Sequence, residues 1–247
     1  MSGKIKAVVL AAGKGTRLQQ EGITLPKVMR RAAGRPLLDY VLQALSFLPR
    51  EDILLVVGYH KEDVLAAYPD YSAAEQAEQL GTGHAVQCAL AGLKGFDGSV
   101  LVCCGDMPLM RRETYESLVH THQEEGNWCT LLSGHSEEPL PYGRIVRDGA
   151  GDFARIVEDR DCTPAERAIR ELNAGVYLFR TQELRACLGQ LRRDNAQGEY
   201  YLTDVPALML SQGGRVGVCD RCTPQEMLGV NTPEQLAQVE ALLTKPS

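Results

Sequence analysis

Basic charge is in deficit in this chain: 26 Lys and Arg stand against 32 Asp and Glu over 247 residues, a formal net charge of −6. Such a surface repels polyanions at long range, and no run of Lys or Arg alternates with aromatics, so nucleic-acid binding is not expected. The deficit does not exclude small anions, which a few local cations and backbone N–H groups can hold. Long hydrophobic runs are also missing. Each aliphatic stretch is cut short by Gly, Pro or charge, and none approaches the roughly 20 apolar residues that a bilayer crossing requires. The opening MSGKIKAVVLAAGKG sets two lysines before an apolar run, as a secretion signal does, but the run stops at Gly13-Lys14-Gly15, where a loop is the better account. A cytoplasmic protein without membrane association is expected.

A second cysteine pair is lacking too. Cys219-Asp220-Arg221-Cys222 is the only CxxC, and no partner pair lies at zinc-site spacing. The eight cysteines sit mostly in apolar runs, Cys103 and Cys104 closing SVLVCC, as buried thiols do in a reducing compartment. The histidines (His60, His84, His120, His122 and His135) are scattered, and His120 and His122 do not share a helix face. Nothing here points to a covalent nucleophile.

What is present is a rhythm of short buried strands and helices. Lys6–Ala11, Ile53–Val57, Ser99–Cys104 and Trp128–Ser133 read as strands. Pro36–Leu48, Gly83–Leu93 and Arg111–His122 read as the helices between them. Continuous apolar strands separated by helices predict an α/β fold with a mostly parallel central sheet covered on both faces. After Pro139 the texture changes. Gly143–Arg147, Phe153–Val157 and Ala174–Phe179 read as strands joined by charged turns, an antiparallel addition. Helices follow over Thr181–Leu191, Leu202–Leu210 and Pro233–Leu243, with a short strand at Arg215–Val218. No repeat or linker divides residues 1–247, so one domain is expected.

The first strand runs into Leu10-Ala11-Ala12-Gly13-Lys14-Gly15-Thr16-Arg17. Small residues let this backbone approach a bulky ligand and turn its amides toward phosphate oxygens. A dinucleotide fingerprint would need glycine where Leu18 stands, and a Walker loop would need Ser or Thr after Gly-Lys, so neither applies. Lys14, Arg17 and Lys27 offer three cations near one strand end, an arrangement suited to a triphosphate and its departing pyrophosphate. A plain tight turn is the alternative for the glycine pair taken alone. Asp106 directly follows SVLVCCG, at the same sheet edge, where a carboxylate can hold Mg²⁺; it could equally cap a turn. Asn231 is either a second oxygen ligand or the N-cap of the helix starting near Pro233. Gln76, Gln79, Gly81 and Thr82 fall in a glycine-rich bend whose amides can read a base edge. Gly143, Glu158 and Asn173 suit sugar hydroxyls and an acetamido group.

Taken together, the motifs LAAGKGTR (10–17), LPKV (25–28), QAEQLGTGHA (76–85), GDMPL (105–109), YGRI (142–145), IVE (156–158), NAG (173–175), NAQGEYYLTD (195–204) and GVN (229–231) give the chain a family likeness. It resembles the N-terminal uridylyltransferase domain of the bacterial bifunctional N-acetylglucosamine-1-phosphate uridylyltransferase/glucosamine-1-phosphate acetyltransferases, within the sugar-1-phosphate nucleotidylyltransferases. The resemblance implies a Rossmann-like mostly parallel central sheet with helices on both faces and a smaller antiparallel sugar-binding portion. It implies UTP and N-acetylglucosamine 1-phosphate as substrates, UDP-N-acetylglucosamine and pyrophosphate as products, and Mg²⁺ as cofactor. By position, Arg17 and Lys27 match the catalytic phosphate clamp, and Asp106 and Asn231 the metal ligands. Leu10, Ala12, Gly13, Lys14, Gly15, Gln76, Gln79, Gly81 and Thr82 match the nucleotide-binding set, and Gly143, Glu158 and Asn173 the sugar-binding set. Another sugar or nucleotide specificity is the alternative, as the ten-residue step from Arg17 to Lys27 is longer than the family's usual loop; a non-catalytic nucleotide-sugar sensor is a second. Cys104 and Pro141 also depart from the family pattern, which usually has a larger residue and a glycine there. The hexapeptide repeats of the family's left-handed β-helix acetyltransferase domain are absent from these residues, so acetyltransfer and trimerisation through that domain are not expected, and a monomer or weak oligomer is.

Overall fold

The structure, a computed structural model, describes residues 3–18, 25–138 and 140–245. The side chain of Arg17 and the QQEGIT stretch before Leu25 lie outside the described residues. The chain runs β1 (Ile5–Leu10), a small hairpin of β2 (Arg31–Ala32) and β3 (Arg35–Pro36), α1 (Leu37–Ala44), β4 (Ile53–Val57), α2 (Lys61–Ala67), β5 (Ser72–Glu75), α3 (Thr82–Ala89) and β6 (Ser99–Cys104). It continues through α4 (Arg112–Glu125), β7 (Cys129–His135), β8 (Arg144–Arg147), β9 (Phe153–Val157), α5 (Pro164–Arg167), β10 (Glu171–Arg180), α6 (Thr181–Leu188), α7 (Val205–Ser211), β11 (Val216–Asp220) and α8 (Pro233–Leu243).

The main sheet has the order β11-β7-β10-β6-β1-β4-β5, with β8 joined to β10 and β9 to β8. β1 lies parallel to both β4 and β6, β4 to β5, and β7 to β11. β10 is the exception: it runs antiparallel between β6 and β7, and β8 and β9 extend from its start as an antiparallel pair. The central strands are largely apolar because both faces are covered, and all five residues of β4 are apolar and buried. Successive side chains of β1 go to opposite faces: Ala7 and Val9 pack with α1, α2 and α4, while Val8 packs with α3, α6 and α7. A third cluster joins α8 to the β2–β3 hairpin through Ala32, Leu37, Val230 and Val239.

Most boundaries follow the sequence within a turn. α8 starts and ends at the expected residues because Thr232 accepts a hydrogen bond from the Gln235 N–H and Pro233 fills the first helical position. α1 is shorter than expected. The stretch expected as one helix from Leu202 is a 3-10 turn, Leu202–Asp204, followed by α7. Among the described residues, no helix is long and apolar enough to cross a membrane. All eight cysteines are free.

The parallel pairing places the carboxyl ends of β1, β4, β5 and β6 on one edge. The start of β10 arrives at the same edge because that strand runs the other way. At the opposite edge a polar group is buried: His122 of α4 bonds Thr130 Oγ1 of β7 at 3.0 Å and Ser99 Oγ of β6 at 3.2 Å. Burial, helped by the Arg180 charge, lowers its pKa from 6.5 to about 4. The folded-state pKa lies below the unfolded one, so the neutral ring favours folding above about pH 6.5, and that share is lost as pH falls toward 4. Urea unfolding should show the protein losing about 2 kcal/mol more than His122→Gln between about pH 7.5 and pH 5. Equal losses in the two proteins would show that His122 is not the titrating group.

Candidate active site

The turn after β1 is shaped by its contact with Lys27. Gly15 has φ +62°, and a Cβ there would lie 2.9 Å from Lys27 Cβ, so only glycine allows both the left-handed turn and the close approach. Lys27 opens a short 3-10 turn, Lys27–Met29, anchored by buried Val28. Its ammonium donates to Asn231 Oδ1 at 2.6 Å and pairs with Asp106 Oδ2. Asp106 sits just beyond β6, in a turn held when the Gly105 N–H donates to Leu10 O at 2.9 Å. The Asp106 carbonyl in turn accepts from the Val230 N–H at 3.0 Å, which delivers the neighbouring Asn231 to the same point. Thr232, not Asn231, caps α8, so the cap alternative for Asn231 is overturned and its side chain faces Lys27 instead. Residues 221–231, which lead to it from β11, are turn and coil.

The donor set at this corner is chemically suited to Mg²⁺. A carboxylate oxygen and an amide oxygen, both hard ligands, already converge on one cation, the Lys27 ammonium. Among the described residues, no group of three or more His, Cys, Asp or Glu side chains could hold a metal. A divalent ion held here would take its remaining ligands from water and phosphate oxygens, as magnesium commonly does.

Beside this corner opens a cavity of about 230 Å³ between the β1 turn and the Gln76–Thr82 segment. Gln79 Nε2 donates to Ala12 O at 3.1 Å, which ties the amide segment to the glycine loop. Gln76 is buried and donates to Gly81 O at 3.0 Å. Leu10, Ala12, Gly13, Thr82, Lys27 and Asp106 also border the cavity. Lys14 is exposed. The Arg17 side chain, expected in the clamp, lies outside the described residues.

Sequence reasoning did not assign roles within 199–203, and the structure shows what that stretch does. The Tyr200 N–H donates to Leu80 O at 2.8 Å and the Gly83 N–H to Tyr200 O at 2.8 Å. The Leu202 N–H donates to Thr82 Oγ1 at 3.1 Å, and Glu199 borders the cavity. One residue on, Thr203 Oγ1 donates to Glu158 Oε1 at 3.0 Å. The GEYYLTD stretch therefore braces the amide segment and Glu158 together. Its unusual run of polar and aromatic residues was visible in the sequence, but its partners, more than 40 positions away, were not.

The three residues expected at the sugar lie at one level of the sheet extension. Arg144 of β8 pairs with Leu172 of β10 and Val157 of β9, so Gly143, Asn173 and Glu158 stand next to paired positions. The Asn173 N–H donates to Gly143 O at 2.8 Å, and Asn173 Nδ2 donates to the Tyr177 hydroxyl at 2.7 Å. Burial pushes the Glu158 carboxyl up; the Thr203 hydroxyl opposes this, while Asp161, Asp204 and Asp159 reinforce it. Cys104 borders the cavity, and burial, then the Asp106 charge, push its thiol up, so it is a protonated wall and not a thiolate nucleophile.

Residues 7–196 match the family model described as the MobA-like NTP transferase domain. Among curated proteins, the chain is 43% identical over 242 residues to the bifunctional protein GlmU of Pelotomaculum thermopropionicum, covering 98% of this chain and 52% of that protein. It is 44% identical over 242 residues to the bifunctional protein GlmU of Streptomyces coelicolor, covering 96% and 50%. The chain thus spans about half the length of the curated relatives it matches. A crystal structure described as a glucose-1-phosphate thymidylyltransferase from Bacillus anthracis, bound to sucrose, superposes with a TM-score of 0.74 over 99% of this chain and 97% of that one, at 18% identity, a likeness of fold. The glycine turn, the strand-edge carboxylate and the family match agree: this chain belongs to the MobA-like NTP transferase family.

Proposed function

We propose that the protein transfers UMP from UTP to N-acetylglucosamine 1-phosphate, releasing pyrophosphate, and that residues 1–247 act as one nucleotidylyltransferase domain. The observation that carries this reading is the Lys27 ammonium held between Asp106 and Asn231 beside the glycine turn. With a divalent cation on the two oxygens and Lys27 beside it, such a corner would suit a ligand of high negative charge. The similarity to bifunctional GlmU proteins supports this choice of substrates.

In this reading a phosphate oxygen of the sugar 1-phosphate attacks the α-phosphorus of UTP. A new P–O bond forms, the bond to the bridging oxygen of the β-phosphate breaks, and pyrophosphate leaves with that electron pair. The attacking oxygen is already anionic at neutral pH, so no general base is needed. Catalysis then rests on alignment and charge stabilisation. Asp106 and Asn231 would hold Mg²⁺, which when bound neutralises phosphate charge. Lys27, with Arg17, steadies the charge on the departing pyrophosphate. The β1 turn offers its amides to the phosphates, with Lys14 at its tip. Gln76, Gln79, Gly81 and Thr82 hold the base, while Gly143, Glu158 and Asn173 hold the sugar. A cytoplasmic location fits substrates of this kind. The long Arg17–Lys27 step favours, as a second reading, the same chemistry on another sugar or nucleotide.

Incubating the protein with Mg²⁺, several nucleoside triphosphates and a panel of sugar 1-phosphates should release pyrophosphate fastest with UTP and N-acetylglucosamine 1-phosphate. Release with no pair would refute the enzyme reading and leave the sensor; preference for another pair would redirect the specificity. Lys27→Ala and Asp106→Ala should each lower kcat by about a hundredfold or more while far-ultraviolet circular dichroism stays unchanged. Wild-type turnover in either variant would remove its assigned role. Gly81→Ala should weaken UTP binding by about tenfold or more, because Gly81 has φ +109° and a Cβ there would lie 2.6 Å from Tyr200 O. Calorimetry returning the original affinity would show that this segment does not shape the nucleotide pocket.

A further inference from the structure

Arg144 is only 2% exposed, and its guanidinium makes two bonds that land on either side of the sugar-facing level of the sheet. Nη1 donates to the carbonyl of Tyr142, the residue before Gly143. Nη2 donates to Asp159 Oδ1 at 3.2 Å, on the residue after Glu158. Nε has no partner among the described residues. A buried guanidinium is costly to desolvate, and an ion pair of this kind commonly adds little net stability over a well-packed apolar replacement. Its effect is geometric. Backbone pairing joins Arg144 to Val157 and Leu172, but β8 begins at Arg144 and β9 ends at Val157, so Gly143 and Glu158 both lie one residue past the paired strands. The Asn173 N–H holds Gly143 to β10, but among the described residues no paired position joins Gly143 to Glu158 directly. Arg144 spans the two.

We propose that Arg144 and Asp159 form a positioning pair that fixes the distance between the Gly143 backbone and the Glu158 carboxylate, and so sets affinity for the sugar moiety of the substrate. The inference rests on the sugar-binding reading of Gly143, Glu158 and Asn173. Arg144 touches no substrate; it acts through the two loop residues it staples. Thr203 holds the Glu158 carboxylate from the other side, so the staple governs where the Glu158 turn sits and Thr203 where its oxygen points. Among the described residues, neither side chain hydrogen-bonds to the Gln76–Thr82 segment, which keeps its own bonds to Tyr200 and Leu202 when the Glu158 turn shifts. Loss of the pair therefore weakens the sugar contribution and leaves the nucleotide contribution as it was.

Calorimetry with UDP-N-acetylglucosamine and with UDP alone, on the full chain, separates the two contributions. Loss of Arg144 could unfold the protein, so the primary variant is Asp159→Asn, whose carboxylate side chain is 30% exposed; Arg144→Lys and the double variant accompany it. Asp159→Asn and Arg144→Lys should each weaken UDP-N-acetylglucosamine by about tenfold, with UDP affinity within about twofold of the unchanged protein. The double variant should be no weaker than Arg144→Lys, because both substitutions disrupt the same Arg144–Asp159 ion pair. Asp159→Glu, which keeps the charge, should recover part of the loss. Unchanged sugar-nucleotide affinity in Asp159→Asn, or equal losses for UDP and UDP-N-acetylglucosamine, would overturn the proposal. Glu158→Gln tells this apart from failure of the underlying reading: if it weakens UDP-N-acetylglucosamine while Asp159→Asn does not, only the staple is wrong. If Glu158→Gln leaves the affinity unchanged, or the sugar adds nothing to UDP affinity in the unchanged protein, the sugar-site reading falls and the staple with it.

Discussion

The pairing of the Lys27 ammonium with the oxygens of Asp106 and Asn231 is the constraint around which this edge of the molecule is arranged. Three remote stretches of chain meet there: the 3-10 turn after the first loop, the end of β6, and the segment before α8. Each arrives through a backbone contact of its own. Gly15 clears room for Lys27, Gly105 ties the Asp106 turn to β1, and the Val230 N–H bonds the Asp106 carbonyl. A lone carboxylate at such a half-buried corner would be costly, so charge pairing and packing reinforce one another.

The rest of the candidate site extends from this corner along the sheet edge. The Gln76–Thr82 segment is tied to the glycine turn through the Gln79–Ala12 bond, and the 199–203 stretch connects it to Glu158. At the proposed sugar side, strand pairing ends one residue short of both Gly143 and Glu158; the Asn173 N–H still holds Gly143, and the buried Arg144 bonds the residues flanking the two. This edge thus combines backbone bonds with side-chain braces added where strand pairing ends.

Much of the fold was legible because local physics decided it. β1, β4 and β6 are built on the apolar runs at residues 7–10, 53–57 and 100–104, and α8 has a threonine cap followed by proline. What escaped was non-local. β5 reads Ser-Ala-Ala-Glu, a composition with little strand preference, and is a strand because it pairs with β4. β2 and β3 are two residues each, too short for any period, and α2 was hidden in a charged stretch. The change of texture after Pro139 announced antiparallel strands, β10 among them, but not that β10 would lie between β6 and β7, which brings Asn173 to the edge where the parallel strands end. At the candidate site, the glycine spacing and the strand-end Asp106 pointed to residues that the structure brings to one sheet edge. The choice between cap and ligand for Asn231 needed the position of Thr232, and the parts played by Thr203 and Arg144 needed partners distant in sequence or outside the strand pattern.

The central claim is that Asp106 and Asn231 form an oxygen corner for a divalent cation, with Lys27 alongside. Electron paramagnetic resonance of Mn²⁺, titrated into the protein with UTP present, reads that corner directly. The account predicts a bound ion in the unchanged protein and in Lys27→Gln, and weakening by about tenfold or more in both Asp106→Asn and Asn231→Ala. Mn²⁺ bound as tightly by Asp106→Asn as by the unchanged protein would contradict it.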